Sequence, residues 1–169
     1  MTNFLTFFGF IVFCLININE ACKCALRDPG IVFCTTDWTS HVKIIGKYTL
    51  NGDENSGGGF LFGGPNILYI VEQIKEYRKP ENVSSLPVTI FTNQQSAACG
   101  ITMLEVNKEY LLSGTYSKNL LYINYCSQMR GEDIDNYGPT PQEWGLITKN
   151  QRLKLDNGNY NNCTKNEVY

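Results

Sequence analysis

The chain has 169 residues, 43% of them hydrophobic and 18% charged. That is the make-up of one globular domain, not of a collagen, a coiled coil or a disordered segment. With 14 Lys and Arg against 16 Asp and Glu, it carries no positive field to hold a polynucleotide or an anionic membrane surface, so nucleic acid is not an expected partner.

An uncharged apolar run over residues 4–16 (FLTFFGFIVFCLI) is followed by a polar stretch and then Ala21. At about 1.5 Å per residue it falls well short of a hydrocarbon core of about 30 Å. It predicts a secretory signal peptide over residues 1–21, with Ala21 as the small residue before the cut, and a single domain over residues 22–169. Cleavage there removes only Glu20 among the charged residues and leaves a nearly neutral product. No second apolar run reaches membrane length, so a soluble extracellular protein is expected.

Seven cysteines become six once Cys14 goes with the signal: Cys22, Cys24, Cys34, Cys99, Cys126 and Cys163. Six in an oxidising compartment predict three disulfides. A metal site of the chain's own would want paired C-x-x-C spacing and histidine partners, and the chain has neither the spacing nor more than one histidine. No resident cofactor is therefore expected. Six cysteines permit fifteen pairings, among which the count does not choose. Cys22 and Cys24, two apart, share one face of an extended segment, so each can be tied to a different distant partner.

In chain order, Asp28 before Pro29 predicts a capped short helix over residues 28–37. Residues 38–50 alternate apolar and β-branched positions and predict a strand. Residues 51–66 hold six glycines around Phe60, Leu61 and Phe62 and predict a loop whose apolar tip touches a partner or folds back on the domain. A phosphate cradle would end in G-K-[ST] and open a helix, which this stretch does not. Strands are predicted over residues 67–77, 86–92, 101–106, 110–115 and 120–125, with turns at Asn107–Lys108 and at 117–119. A succession of short strands predicts a small β-barrel. Thr140 as cap, Pro141 and Glu143 predict a C-terminal helix over residues 140–153 that packs over the barrel.

A catalytic reading finds little. His41 is the single imidazole, lies in the first predicted strand and has no carboxylate near it in sequence; paired carboxylates and H-E-x-x-H are absent. The chain is expected not to be an enzyme. Two N-glycosylation sequons occur, at Asn82 (NVS) and Asn162 (NCT). Asn82 lies in a polar linker and Asn162 abuts a cysteine, which makes Asn82 the better acceptor.

The cysteine framework resembles that of the tissue inhibitors of metalloproteinases, in their N-terminal netrin-like domain. The residues that carry it are C-x-C-x9-C at Cys22, Cys24 and Cys34, with Phe33, Asp37 and Lys43 around the third cysteine. Downstream come Cys99-Gly100, the run EYLLSG at 109–114, Cys126-Ser127 and Cys163. The resemblance implies a mainly β fold, an OB-like five-stranded β-barrel with flanking helices. It also implies bridges from Cys22 to Cys99, Cys24 to Cys126 and Cys34 to Cys163. Only six residues follow Cys163, so no counterpart of the second domain of the vertebrate inhibitors is expected.

By the same resemblance the chain is a secreted inhibitor of zinc metalloproteinases of the matrix or disintegrin type. The protease-binding ridge would be Cys22, Lys23, Cys24, Ala25 and Leu26 with Ala97, Ala98 and Cys99. After cleavage, the amine and carbonyl of Cys22 would chelate the partner's zinc. The family usually has Thr or Ser after the first cysteine; here it is Lys23. The alternative is a netrin-like binding module that engages an extracellular matrix or receptor protein without touching zinc.

Overall fold

The computed structural model describes residues 22–50, 66–132 and 141–163. The expected signal segment, the glycine-rich stretch up to residue 65 and Thr140 of the expected helix cap lie outside them.

Helix α1 (Pro29–Thr35) starts where the sequence signals it: the Asp28 carboxylate accepts a hydrogen bond from the Gly30 amide at 2.7 Å, and Pro29 opens the first turn. Strand β1 (Trp38–Leu50) pairs antiparallel with β2 (Asn66–Arg78) along its whole length, with register shifts at Thr39/Ser40, His41/Val42 and Ile44/Gly46. Such irregularities bend and twist a long hairpin enough to curl it into a barrel wall. Strand β3 (Thr89–Asn93) pairs with the first part of β2. Strand β4 (Glu109–Ser117) returns along β1 from Trp38↔Gly114 to Lys43↔Glu109. Strand β5 (Leu120–Tyr122) follows a tight turn in which Lys118 and Asn119 both have positive φ, and it pairs antiparallel with β4 and parallel with β3. The five strands close in the order β1-β2-β3-β5-β4 and back to β1, a disulfide-stapled OB-like barrel with two short helices. The short β6 (Gln142–Glu143) adds to β4 at Tyr110 and Leu111.

Two apolar clusters hold this arrangement. Trp38, Val42 and Ile44 of β1 point inward with Tyr69, Ile90, Leu112 and Leu121. Leu111 faces the other way and joins Val32, Phe33, Met129, Ile147 and Leu155 beneath the helices. Adjacent leucines on one strand thus serve the barrel interior and the helix layer, as the two-residue period requires. The Tyr69 hydroxyl donates to the Ile101 carbonyl at 3.0 Å, and burial pushes its pKa up to about 12, so it stays a neutral donor at physiological pH.

Two expected elements differ. Residues 101–106 form no strand, although Ile101 and Leu104 are buried in the barrel. Side chains meet their main chain instead: Thr92 Oγ1 accepts from the Ile101 amide at 2.9 Å, the Tyr110 hydroxyl accepts from Glu105 at 3.2 Å, and Lys47 Nζ donates to the Thr102 carbonyl at 2.6 Å. The C-terminal helix α2 (Lys149–Asp156) begins eight residues later than expected, capped by Thr148, whose hydroxyl accepts from the Gln151 amide at 3.1 Å. The residues before it are β6 and a 3₁₀ turn at Trp144–Leu146.

That shift has a cause in His41. Its ring stacks on Trp144 at 3.8 Å between centroids, and Arg152 covers the same indole at 4.9 Å. Contrary to the expectation from sequence, a carboxylate does reach the imidazole: Glu109 Oε2 lies 2.8 Å from Nε2. Desolvation by burial nevertheless sets the balance, and with the Arg152 charge it outweighs Glu109 and holds the His41 pKa below 6.5. The unfolded chain therefore takes up a proton on this ring at a higher pH than the fold does. The stabilisation is complete above about pH 6.5 and declines as pH falls through the lowered folded value. Urea midpoints at pH 7.5 and 5.5 should differ more for the native chain than for His41→Asn; equal differences would remove His41 from the account.

Candidate functional site

Residues 22–28 form no helix or strand, yet they alternate like an extended segment: Cys22 and Cys24 are half-buried while Lys23 and Ala25 are exposed, with Leu26 also exposed. The alternation follows from two disulfides. Cys22 is joined to Cys99 and Cys24 to Cys126, with Cα separations of 5.2 and 5.1 Å. The two bridges pack side by side, with Cys22 Sγ and Cys24 Sγ 3.8 Å apart. All four sulfurs lie within 4.8 Å of one another. That clustering has the look of a metal site, but sulfur in a disulfide offers no thiolate to an ion. The third bridge, Cys34 to Cys163, ties α1 to the chain beyond α2, with Cα atoms 5.4 Å apart.

The facing wall is a 3₁₀ turn, Ser96–Ala98, whose side chains are all exposed, including Ala97 and Ala98. It ends at Cys99 in the left-handed region, φ 56° and ψ 30°, an uncommon backbone for a residue with a side chain. The surroundings hold it there: the Cys99 amide bonds to the Ser96 carbonyl at 2.9 Å, and the Cys99 carbonyl accepts from the Tyr125 amide at 2.9 Å. Gly100 follows because nothing larger fits. A Cβ there would stand 1.7 Å from the Asn93 carbonyl oxygen. The cysteine-glycine doublet was the one sequence hint of this close approach.

Arg27 is a positioning residue that sequence reasoning missed. Its guanidinium donates to the Cys126 carbonyl at 2.6 Å and to Thr35 Oγ1 at 3.4 Å. It thus ties the end of the extended segment to the bridge and to the last turn of α1. Its main partner is 99 residues away in sequence, so no local pattern could reveal it. A groove of about 350 Å³ opens beside Ala98 and Cys99, with Phe91, Tyr122 and Ile123 as apolar lining and Asn93 and Asn124 as polar lining. The Asn124 side chain caps the 3₁₀ turn Tyr125–Ser127, which carries Cys126.

The result is an exposed ridge of residues 22–26 and 97–99, joined to each other through Cys22–Cys99 and to the Tyr125–Ser127 turn through Cys24–Cys126. His41 and Glu109 are not part of it. The sequon residues Asn82 and Asn162 are both exposed.

A family model described as tissue inhibitor of metalloproteinase matches residues 20–164. Among curated proteins, the chain is 36% identical over 124 residues to the Caenorhabditis elegans protein named "Putative metalloproteinase inhibitor tag-225", covering 70% of this chain and 74% of that one. It is 26% identical over 147 residues to metalloproteinase inhibitor 3 of Gallus gallus and 27% over 146 residues to that of Xenopus laevis. Each of these matches takes in 86% of this chain but 58% of the relative. The chain therefore spans little more than half the length of those vertebrate relatives.

Removing the second bridge with Cys24→Ser and Cys126→Ser together should lower stability by about 2 to 4 kcal/mol, because it frees a loop of 102 residues in the unfolded chain. Urea unfolding of the double variant against the native protein measures this, and an unchanged midpoint would mean that the barrel alone orders the segment.

Proposed function

The chain belongs to the tissue inhibitor of metalloproteinase family, and on that premise we propose that it is a secreted inhibitor of zinc metalloproteinases, acting through the main chain of Cys22. The single observation that carries this reading is the double tie of residues 22–24 to Cys99 and Cys126. It supports the reading because chelation by a chain terminus is weak unless the terminus is already ordered.

The chemistry follows from elementary properties. Removal of residues 1–21 gives Cys22 a free α-amino group, whose ordinary pKa of about 7.7 to 8.0 leaves a usable neutral fraction at physiological pH. That nitrogen and the Cys22 carbonyl oxygen form a bidentate ligand. A catalytic zinc in a protease keeps one position open for the water that attacks the substrate. A rigid bidentate ligand in that position displaces the water and stops hydrolysis. Lys23, Cys24, Ala25 and Leu26 would then run along the protease cleft, with Ala97, Ala98 and Cys99 beside them. The exposed Lys23 is the side chain offered to the pocket next to the zinc. Targets of the matrix and disintegrin types share the required open zinc.

One residue favours a second reading, a netrin-like module that binds an extracellular matrix or receptor protein without zinc. Lys23 would have to thread its stem through a mostly apolar pocket and find water or a carboxylate for its ammonium, at a cost of up to several kcal/mol if unpaired.

The test is titration of the secreted protein, with Cys22 verified as first residue by intact mass, against matrix and disintegrin-type metalloproteinases. Stoichiometric inhibition is expected. One Ala added before Cys22 should leave the melting temperature unchanged and weaken inhibition at least about 100-fold, or about 2.7 kcal/mol. Equal potency of the extended protein would exclude chelation, and silence of the native protein across the panel would favour the binding module.

A further inference from the structure

We propose that Asn82 carries an N-linked glycan that screens the half-open edge of β2; the proposal rests on the secretory reading above. The sheet sets the need. Strand β2 pairs with β1 out to Arg78, but with β3 only over Asn66–Ile70. Among the described residues its other edge has no partner strand beyond Ile70. An edge of that kind is a template for another chain unless something covers it.

Residues 79–88 run alongside that edge and cover it thinly. The Val71 amide donates to the Val88 carbonyl at 2.8 Å, and Gln73 Nε2 donates to the Pro87 carbonyl at 2.9 Å. Glu76 organises the rest, accepting from the Leu86 amide at 2.7 Å and from Lys79 Nζ at 3.0 Å; Lys79 also donates to the Ser84 carbonyl. Two apolar side chains remain in the open on this flank, Ile74 on β2 and Val88 at the end of the covering segment.

The sequon sits at the tip of that cover. The Val83 amide bonds to the Pro80 carbonyl at 3.1 Å, closing a turn with Asn82 at its third position. Asn82 and Ser84 are both exposed, and neither side chain has a hydrogen-bond partner among the described residues. Transfer needs this arrangement, a free carboxamide with a free hydroxyl two residues on. Asn82 Nδ2 bonds to C1 of an oligosaccharide carried on a polyprenyl pyrophosphate. The C1–O bond breaks, the lipid pyrophosphate leaves with the electron pair, and the amide loses one proton. At Asn162 the geometry is already committed: the Cys163 amide bonds to the Asn161 carbonyl at 2.8 Å, and Cys163 is bridged to Cys34.

Position also favours the modification. Asn66 at the start of β2 pairs with Asn93, just before the turn that leads to Cys99, whereas Asn82 follows the far end of the strand. At about 3.3 Å per residue the strand path between them is about 40 Å. A glycan at Asn82 thus grows from the end of β2 opposite to the one whose pairing leads to Cys99.

The full chain, secreted from a eukaryotic cell, should lose mass on treatment with peptide N-glycosidase, with Asn82 converted to Asp in the corresponding peptide. Asn82→Gln and Ser84→Ala should each abolish the shift, Ser84→Thr should keep it, and Asn162→Gln should leave it intact. At matched concentration Asn82→Gln should scatter more light than the native protein, with unchanged potency where inhibition is measurable. Secreted protein starting at Cys22 with unmodified Asn82 would overturn the proposal alone. Failure of the chain to enter the secretory route would overturn it together with the reading on which it rests. A glycan whose loss leaves scattering unchanged would overturn the screening role.

Discussion

Everything at the candidate site depends on one constraint, that two half-buried cysteines two residues apart are tied to two different parts of the barrel. A single bridge would leave the segment free to swivel about one point. Two bridges on one face fix its direction as well as its position, and they force Lys23 and Ala25 outward. The barrel supplies the anchors: Cys99 is held in a left-handed conformation by hydrogen bonds on both sides, and Cys126 sits in a 3₁₀ turn capped by Asn124. The close approach at Gly100 lets the Cys99 wall lie against the end of β3. The exposed ridge is thus covalently fixed to the body behind it, a constraint that irregular surface backbone seldom has.

The layer of helices is held by further chemistry. His41 lies between the Glu109 carboxylate and the Trp144 ring, and Arg152 closes over the indole from α2. Arg152 also donates from Nε to the Ile147 carbonyl at 3.0 Å. The chain from β6 to α2 is thereby fastened to β1 and β4 before it reaches Cys163. This layer thus combines stacked rings and a His41–Glu109 contact with the Cys34–Cys163 bridge, which packs on the same apolar cluster as Trp144.

Much of this was legible locally. Asp28-Pro29 marked the start of α1, the alternation of Trp38, Val42 and Ile44 marked β1, and Lys118 with Asn119 formed the hairpin turn where turn residues stood. The failures are non-local. Thr140-Pro141 and Thr148 are both reasonable helix caps, and the choice falls to Thr148 because Trp144 is drawn onto a histidine about a hundred residues earlier. Residues 101–106 have strand composition, but Thr92, Tyr110 and Lys47 serve their main chain, and only the folded barrel brings those side chains there. At the site, the cysteine count implied three bridges and the two-residue spacing implied a shared face. The choice among fifteen pairings came only through the family resemblance. Arg27 and the strained backbone of Cys99 left no local mark.

The spacing of the bridges has a consequence for synthesis. Each one joins a cysteine at or before α1, Cys22, Cys24 or Cys34, to a partner 77, 102 or 129 residues later. At about 5 to 20 residues per second, Cys22, Cys24 and Cys34 wait several seconds to tens of seconds for their partners to emerge. During that wait they have only one another, and Cys22 and Cys24 are each able to pair wrongly with Cys34. Any such early bond has to be undone by thiol exchange before the bridges to Cys99, Cys126 and Cys163 can all form. Residues 22–26 are therefore the first part of the domain to be made, yet they are not fixed until Cys99 and Cys126 have emerged, and the yield depends on the redox traffic of the compartment in which the chain folds.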